Sequence, residues 1–322
     1  MSPKARRLLV LAGVAWSFGG ASRHLEEFCH LKVSDDTIRR VCDEQGTHVG
    51  QWLLQDPAPA KAIKRAQGNH EFYTDGVTVN TVDGWREMRA SVWVKRPACR
   101  AAKPEQWQTR VLEMPTARWA ICAIAPCRKV GASWRRMGRQ LGHGWHDPLS
   151  VIADGAKWIW DQAAVRLSHQ ASWCVDIYHV CQHLHACAGK LLGTATPRAN
   201  AWAIHWRDRL LKESGPRVIR ALEGLYAAAV DPTQQRALKG LLAYLKDNQD
   251  SLWYRQRLAE GLTIGSGLIE GACKNMIGKR LKANNARWRV RRAEHMGALR
   301  CLDYSGLWQT YWDPKTTCLP TL

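Results

Sequence analysis

LSVIADGAKWIWDQAAVRLSHQASWCVDIYH, residues 149–179, is the stretch that decides the fold. Leu149 to Ala153 is a short apolar run that ends abruptly in Asp154-Gly155-Ala156, the pattern of a strand buried on both faces in the middle of a sheet. Lys157 to Leu167 has helical spacing, and Ser172 to Ile177 reads as a second central strand running into Tyr178-His179. Strand, helix, strand is a parallel crossover, so Asp154 and Asp176 are expected to emerge at the same edge of the sheet. Open α/β sheets bind their ligands at that C-terminal edge.

Upstream, Phe72 to Val79 alternates with period two, Asp83-Gly84 makes a turn, and Trp85 to Lys95 returns as the partner strand. Asp83 has a structural task in that turn. Asp75 interrupts an otherwise apolar strand without one, which makes it the stronger catalytic candidate. A third strand is expected around Trp119 to Ala125, then a helix from Lys129 to Leu141. Residues 1 to 67 read as helical. Within them Ser34 or Asp35 can cap a helix whose Ile38, Val41 and Cys42 form an apolar face beside Arg39 and Arg40. This suits either the second half of a helix-turn-helix, with both arginines near phosphate, or an ordinary surface helix of a small bundle. Lys4, Arg6 and Arg7 before LLVLAGVAW have the outline of a signal peptide, but helical spacing continues into SFGGASRHLEEF and favours a buried first helix.

Downstream, residues 180–260 are helical in pattern and punctuated by Gly193, Pro197, Gly215-Pro216 and Asp231-Pro232, giving four or five helices. Trp202, Trp206 and Leu210 share a core-facing side. Cys181, His183, His185 and Cys187 invite a zinc reading, but no second ligand pair is visible to complete it. In the following stretch, 263–300, Glu270 opens what reads as a long basic helix. Lys274, Lys279, Arg280, Lys282, Arg287, Trp288, Arg289, Arg291 and Arg292 follow it as a track for a polyanion. The expected division is an N-terminal helical segment at 1–67, the first part of an α/β core at 68–180, a helical insertion at 181–261, the C-terminal part of the core at 262–313, and a frayed terminus at 314–322.

The 322 residues suffice for a sizeable core, and a formal net charge of +19 points to a polyanionic partner. Nucleic acid is favoured over a membrane, since no apolar run reaches the roughly 18 to 20 residues of a spanning helix. Eleven cysteines without a Cys-x-x-Cys pair read as reduced thiols in a cytoplasmic protein.

Asp75, Asp154 and Glu270, two on strands and one on a helix, form an all-oxygen donor set suited to two Mg²⁺ or Mn²⁺ ions. Such a pair stabilises the attacking and leaving oxygens of a phosphodiester. Singly, each acid has a plainer reading: Asp75-Gly76 and Asp154-Gly155 as turns, Glu270 as a helix-start acid complementing the dipole.

The runs YTDGVTVNTVDGWREM, VIADGAKWIW, VDIYHVCQHLHA, LTIGSGLIEGACK, KRLKANNARW and GLWQTYWD resemble the ISKra-type insertion-sequence transposases of bacteria, over about residues 20 to 313. The resemblance implies an α/β, RNase H-like mixed sheet flanked by helices, with an all-helical insertion before the last catalytic helix. It implies a DDE enzyme that cleaves and transfers DNA strands at element ends, with Asp75, Asp154 and Glu270 as first, second and third acids. Asp176-Ile177-Tyr178-His179 is similar to the Asp-x-x-His signature of Mutator-like relatives, which places His179 near the scissile phosphate with Asp176 supporting it. Implied partners are double-stranded DNA, at element ends and target, and further copies of the chain as a homodimer or higher oligomer in a synaptic complex at the nucleoid. Such family members carry a longer region before the core, so a truncated copy that only binds DNA is an alternative, as is a nuclease on the same fold.

Overall fold

The computed structural model describes residues 1–283 and 286–313, so the expected frayed terminus at 314–322 lies outside the described residues. Strands β1 (Asn69–Thr81), β2 (Gly84–Arg96), β3 (Ala117–Ala123), β4 (Leu149–Ala153) and β5 (Ala171–Val175) form one mixed sheet in the order β3-β2-β1-β4-β5. The first three pair antiparallel, while β4 runs parallel to β1 and β5 parallel to β4. The expected hairpin is present, with Asp83 in its turn and Gly84 at φ +91°, a conformation a side chain would strain.

The alternation in β2 sorts the layers. Ser91 and Trp93 face α5 (Cys127–Leu141), whose Trp134 donates its indole N–H to Ser91 Oγ at 2.8 Å; α6 (Lys157–Arg166) packs against α5. Met88 and Ala90 face the opposite layer. There α12 (Gly267–Cys273) continues through a π-turn at Lys274–Gly278 into α13 (Lys279–Leu281). Next in the chain, α14 (Val290–Tyr304) lays Gly297 against Met88 and Cys122, where even a methyl group would lie 2.6 Å from the Cys122 sulfur.

The long basic helix expected from Glu270 to Arg300 is therefore broken. Its residues 286–289 instead run beside the end of β1, with Trp288 N–H donating to the Asn80 carbonyl and Val82 N–H to the Trp288 carbonyl. Satisfying those edge groups of the hairpin draws the chain out of the helix.

The N-terminal helices are α1 (Pro3–Ala15), α2 (Phe18–Cys29), α3 (Asp35–Gln55) and α4 (Ala58–Arg65). Ser2, Ser17 and Ser34 cap the first three by accepting from backbone N–H groups three residues on. The backbones of α3 and α14 cross at Gly46, where a Cβ would sit 2.7 Å from the His295 carbonyl oxygen. These helices share one hydrophobic core with the sheet.

The insertion holds α7 (Ile177–Leu192), α8 (Pro197–Lys212), α9 (Gly215–Ala228), α10 (Pro232–Asp247) and the short α11 (Tyr254–Ala259); α15 (Trp308–Trp312) closes the described chain. Pro197 and Pro232 stand at first helical positions and Pro216 at the second, where no intrahelical N–H bond is lost. One expectation is corrected: β5 is an edge strand, whereas its sequence reads as central. It is apolar because α11 covers it, with Tyr254 Oη donating to the Val175 carbonyl at 2.9 Å and Arg257 to the Ser172 carbonyl at 3.3 Å.

Candidate active site

Sheet register brings the first two acids together. Tyr73 pairs with Ile152 in the parallel ladder, so two residues further on Asp75 and Asp154 occupy matching positions on adjacent strands. Ala153 pairs with Val175, so Asp176 is the next place in the same row. The row crosses three strands at the C-terminal edge of β4 and β5, as the crossover predicts. Asp75 lies opposite Ala90, on the face covered by α12 and α14, and α12 carries Glu270.

Burial pushes the Asp75 carboxyl up to about 6, and the charges of Asp154 and Glu270 add to the rise. The Gly76 N–H bond, at 2.7 Å, and the His179 charge oppose it without cancelling it. The carboxylates thus feel one another across the site. As the side chains stand, no three His, Cys, Asp or Glu groups among the described residues converge closely enough to hold one ion. Asp75 turns an oxygen to its Gly76 N–H, Asp154 to the Ala156 N–H at 2.9 Å, and Glu270 accepts from Ser266 Oγ at 3.4 Å. Each of these bonds uses one carboxylate oxygen. The donor set is hard oxygen, and its mutual repulsion is of the kind that a bound cation relieves, so the residues fit divalent metal chemistry.

Asp176 and His179 form a separate unit. Asp176 is fully buried and caps α7, accepting from the N–H groups of Tyr178 and His179. It also accepts from His179 Nδ1 at 2.7 Å and from Ser266 N–H at 3.0 Å. Burial opposes its charge, yet the bonds from His179, Ser266 and Tyr178 outweigh that and hold the carboxyl below the usual range. The hydrogen bond from Asp176 in turn raises His179, against burial, with help from the charges of Asp176, Asp154 and Asp75. Asp176 therefore acts through its neighbours: it orients the imidazole, leaves Nε2 for the site, and pins the turn that leads into α12. A Cβ at Gly265 in that turn would lie 3.1 Å from the Tyr178 ring, which would have to shift to admit it.

The insertion supplies two residues that the sequence reading missed. Tyr244 on α10 donates its hydroxyl to the Asp154 carbonyl at 3.1 Å, and its ring stacks on His183 with centroids 3.7 Å apart. Asn248 accepts from the Trp160 indole N–H at 2.7 Å and packs on Gly155, whose φ is +91°. Together they clamp the backbone that carries Asp154. The available signal was the Tyr-x-x-x-Asn spacing, which puts both polar groups on one side of a helix. CQHLHAC correspondingly lies within α7, with His183 serving the clamp.

The basic track divides into three groups. Lys274, Lys279, Lys282, Arg287, Arg289, Arg291 and Arg40 are exposed. Arg39 pairs with Asp36 and Asp43, and Arg292 with Asp43 at 2.8 Å. Arg280 and Trp288 depart from expectation, since both are buried. The Arg280 guanidinium lies 4.6 Å from the Phe18 ring centroid and 5.1 Å from that of Trp288, and it donates to the Gly13 carbonyl. Burial lowers its pKa to about 10. These two residues join the N-terminal helices to the C-terminal segment and are not placed to meet a nucleic acid.

No protein-family model matches the chain, and no characterised protein matches it closely enough to count as a relative.

Proposed function

We propose that this chain is a DDE transposase with an RNase H-like core, a metal-dependent enzyme that cleaves and joins DNA strands at the ends of an insertion sequence. The observation that carries the reading is the row of acids. Asp75 and Asp154 stand level on adjacent parallel strands, and Glu270 approaches from α12 closely enough for its charge to raise Asp75. The mixed sheet, with three antiparallel strands followed by two parallel ones and helices on both sides, is compatible with such a core.

Two Mg²⁺ or Mn²⁺ ions held by Asp75, Asp154 and Glu270 would activate the attacking oxygen and stabilise the leaving one. The chain's own residues do the rest. Asp176 orients His179 and favours its protonated form, in which Nε2 can donate to a phosphate oxygen. Exposed Lys274 and Lys279 follow Glu270 on the same helical segment and hold flanking phosphates without reading sequence. Tyr244 and Asn248 keep Asp154 in place. Pairs of element ends and a target would be held by two or more copies of the chain.

Strand cleavage and transfer on element-end DNA with Mg²⁺ or Mn²⁺ tests this. Wild type is expected to be active, and Asp75→Asn or Glu270→Gln inactive with DNA binding retained. Undiminished cleavage by either variant would overturn the assignment of acids.

A further inference from the structure

A cavity of about 470 Å³ opens beside the Thr263–Gly271 segment. That volume falls within the roughly 300–1,000 Å³ of small-ligand sites. Trp107 and Tyr178 line it with ring centroids 5.5 Å apart, and Tyr178 is 45% exposed. Leu112, Met114 and Leu268 give it an apolar wall. Two arginines reach it without an acidic partner among the described residues. Arg110 donates only to the Leu262 carbonyl, and Arg118 lies over the Tyr304 ring at 5.3 Å. Asn275 spends its N–H on the Gly271 carbonyl, which leaves its Oδ1 as an acceptor at the rim. The Arg207 guanidinium lies over the Trp107 ring at 5.6 Å, so the exposed ring of Tyr178 is the open surface. Half-buried guanidinium groups without carboxylates, beside that ring and an amide oxygen, match an aromatic anion.

We propose that this cavity binds one unstacked nucleotide, its base against Trp107 and Tyr178 and its phosphate on Arg110 and Arg118. Position favours this ligand, because Tyr178 directly precedes His179, and Leu268 and Gly271, which line the cavity, flank Glu270 on α12. A strand crossing the acids would then have a neighbouring nucleotide within reach. The inference rests on the transposase reading for its strand-borne source, whereas the chemistry fits a free mononucleotide equally.

The test is binding, with the catalytic acids intact. Equilibrium dialysis of the full chain with the four deoxynucleoside monophosphates, and with inorganic phosphate as control, addresses the free source. Element-end DNA carrying 2-aminopurine at successive positions near the cleavage site addresses the strand-borne one. We expect saturable binding in at least one arm: retained monophosphate with little retained phosphate, or a fluorescence change confined to one position. Trp107→Leu should weaken the response about 5- to 150-fold, the range of base–aromatic stacking. Arg118→Gln should weaken it and flatten its salt dependence. If Arg110→Ala does not fold, Trp107→Leu and Arg118→Gln decide alone, since neither removes a hydrogen bond seen in the fold. Absence of signal in both arms, or signal unchanged in both variants, overturns the proposal. Active cleavage with no cavity signal would sink the nucleotide site and leave the enzyme reading standing. Monophosphate binding in a chain that never cleaves would do the reverse.

Discussion

Replacing Asp75 with Asn should stabilise the protein, and the gain should depend on pH in a defined way. In the folded chain, burial and then the neighbouring Asp154 and Glu270 charges raise the Asp75 carboxyl from 3.8 to about 6. At about 1.4 kcal/mol per tenfold change in acidity, the ionised group costs the native state about 3 kcal/mol, an upper figure because the site can relax. The folded pKa lies above the unfolded one, so the favourable state is the protonated one. It is fully present below about pH 4 and is lost as pH rises through about 6. Asn is neutral at every pH and can still accept the Gly76 N–H bond. The stability of Asp75→Asn relative to wild type should therefore be small near pH 4, widen up to about pH 6 to 7, and stay constant above.

With about 2.1 cal/mol/K per residue, the 322 residues give an unfolding entropy of about 0.7 kcal/mol/K, so about 3 kcal/mol raises Tm by about 4 °C. Thermal melts of both proteins from pH 4 to 8.5 in chelator measure this. Mg²⁺ or Mn²⁺ should raise Tm in wild type more than in the variant, since a ligand stabilises only the form that binds it. A variant that is no more stable than wild type at pH 8, or a gap that does not change with pH, would refute the argument from burial and neighbouring charge.

Tyr244→Phe removes a single hydroxyl and should lower stability by about 1 kcal/mol. The more telling readout is cleavage, where a loosened Asp154 should raise the metal concentration for half-maximal activity with DNA affinity unchanged. Asp176→Asn should lower the pKa of His179 in an NMR titration of the imidazole, because an amide oxygen in place of the carboxylate no longer favours the charged ring; an unmoved titration would mean that Asp176 does not govern the ring. Gly46→Ala should destabilise by about 1–3 kcal/mol by prising α3 from the His295 backbone, seen as a lower urea midpoint. Lys274→Ala and Lys279→Ala should each reduce the salt dependence of DNA binding by about one charge without changing Tm. Arg280→Met should do the opposite, lowering Tm and leaving the salt slope alone.

Elements whose partners lie nearby in the chain were legible in the sequence. Leu149–Ala153 reads as a strand from its own residues, Asp83-Gly84 as a turn, and Ser34 as a cap, and the structure has all three. Asp154 and Asp176 could be set on one edge because parallel register follows from the crossover, whereas the level position of Asp75 beside Asp154 comes from the pairing of β1 with β4. The reading failed where distant segments decide. β5 looks central because α11, some eighty residues on, caps its carbonyls. Arg280 and Trp288 look like a nucleic-acid track because their charge and aromaticity are visible, while the Phe18 ring and Gly13 carbonyl that absorb them are remote.

The Asp154 clamp shows the same limit and carries a consequence for the insertion. Residues 181–261 have the pattern of an all-helical addition that could be shed. Yet Tyr244 and Asn248 hold the Asp154-Gly155 backbone, and Arg257 donates to Ser150, to Ser172 and to the Thr263 carbonyl just before the turn into α12. The insertion thus grips the second acid directly and the third through the loop that leads to it. Replacing 181–261 with a short linker should therefore leave Asp154 and Glu270 free to separate. The shortened chain would lose any cleavage and the part of the pH-dependent gain of Asp75→Asn that the Asp154 and Glu270 charges contribute, keeping the part due to burial.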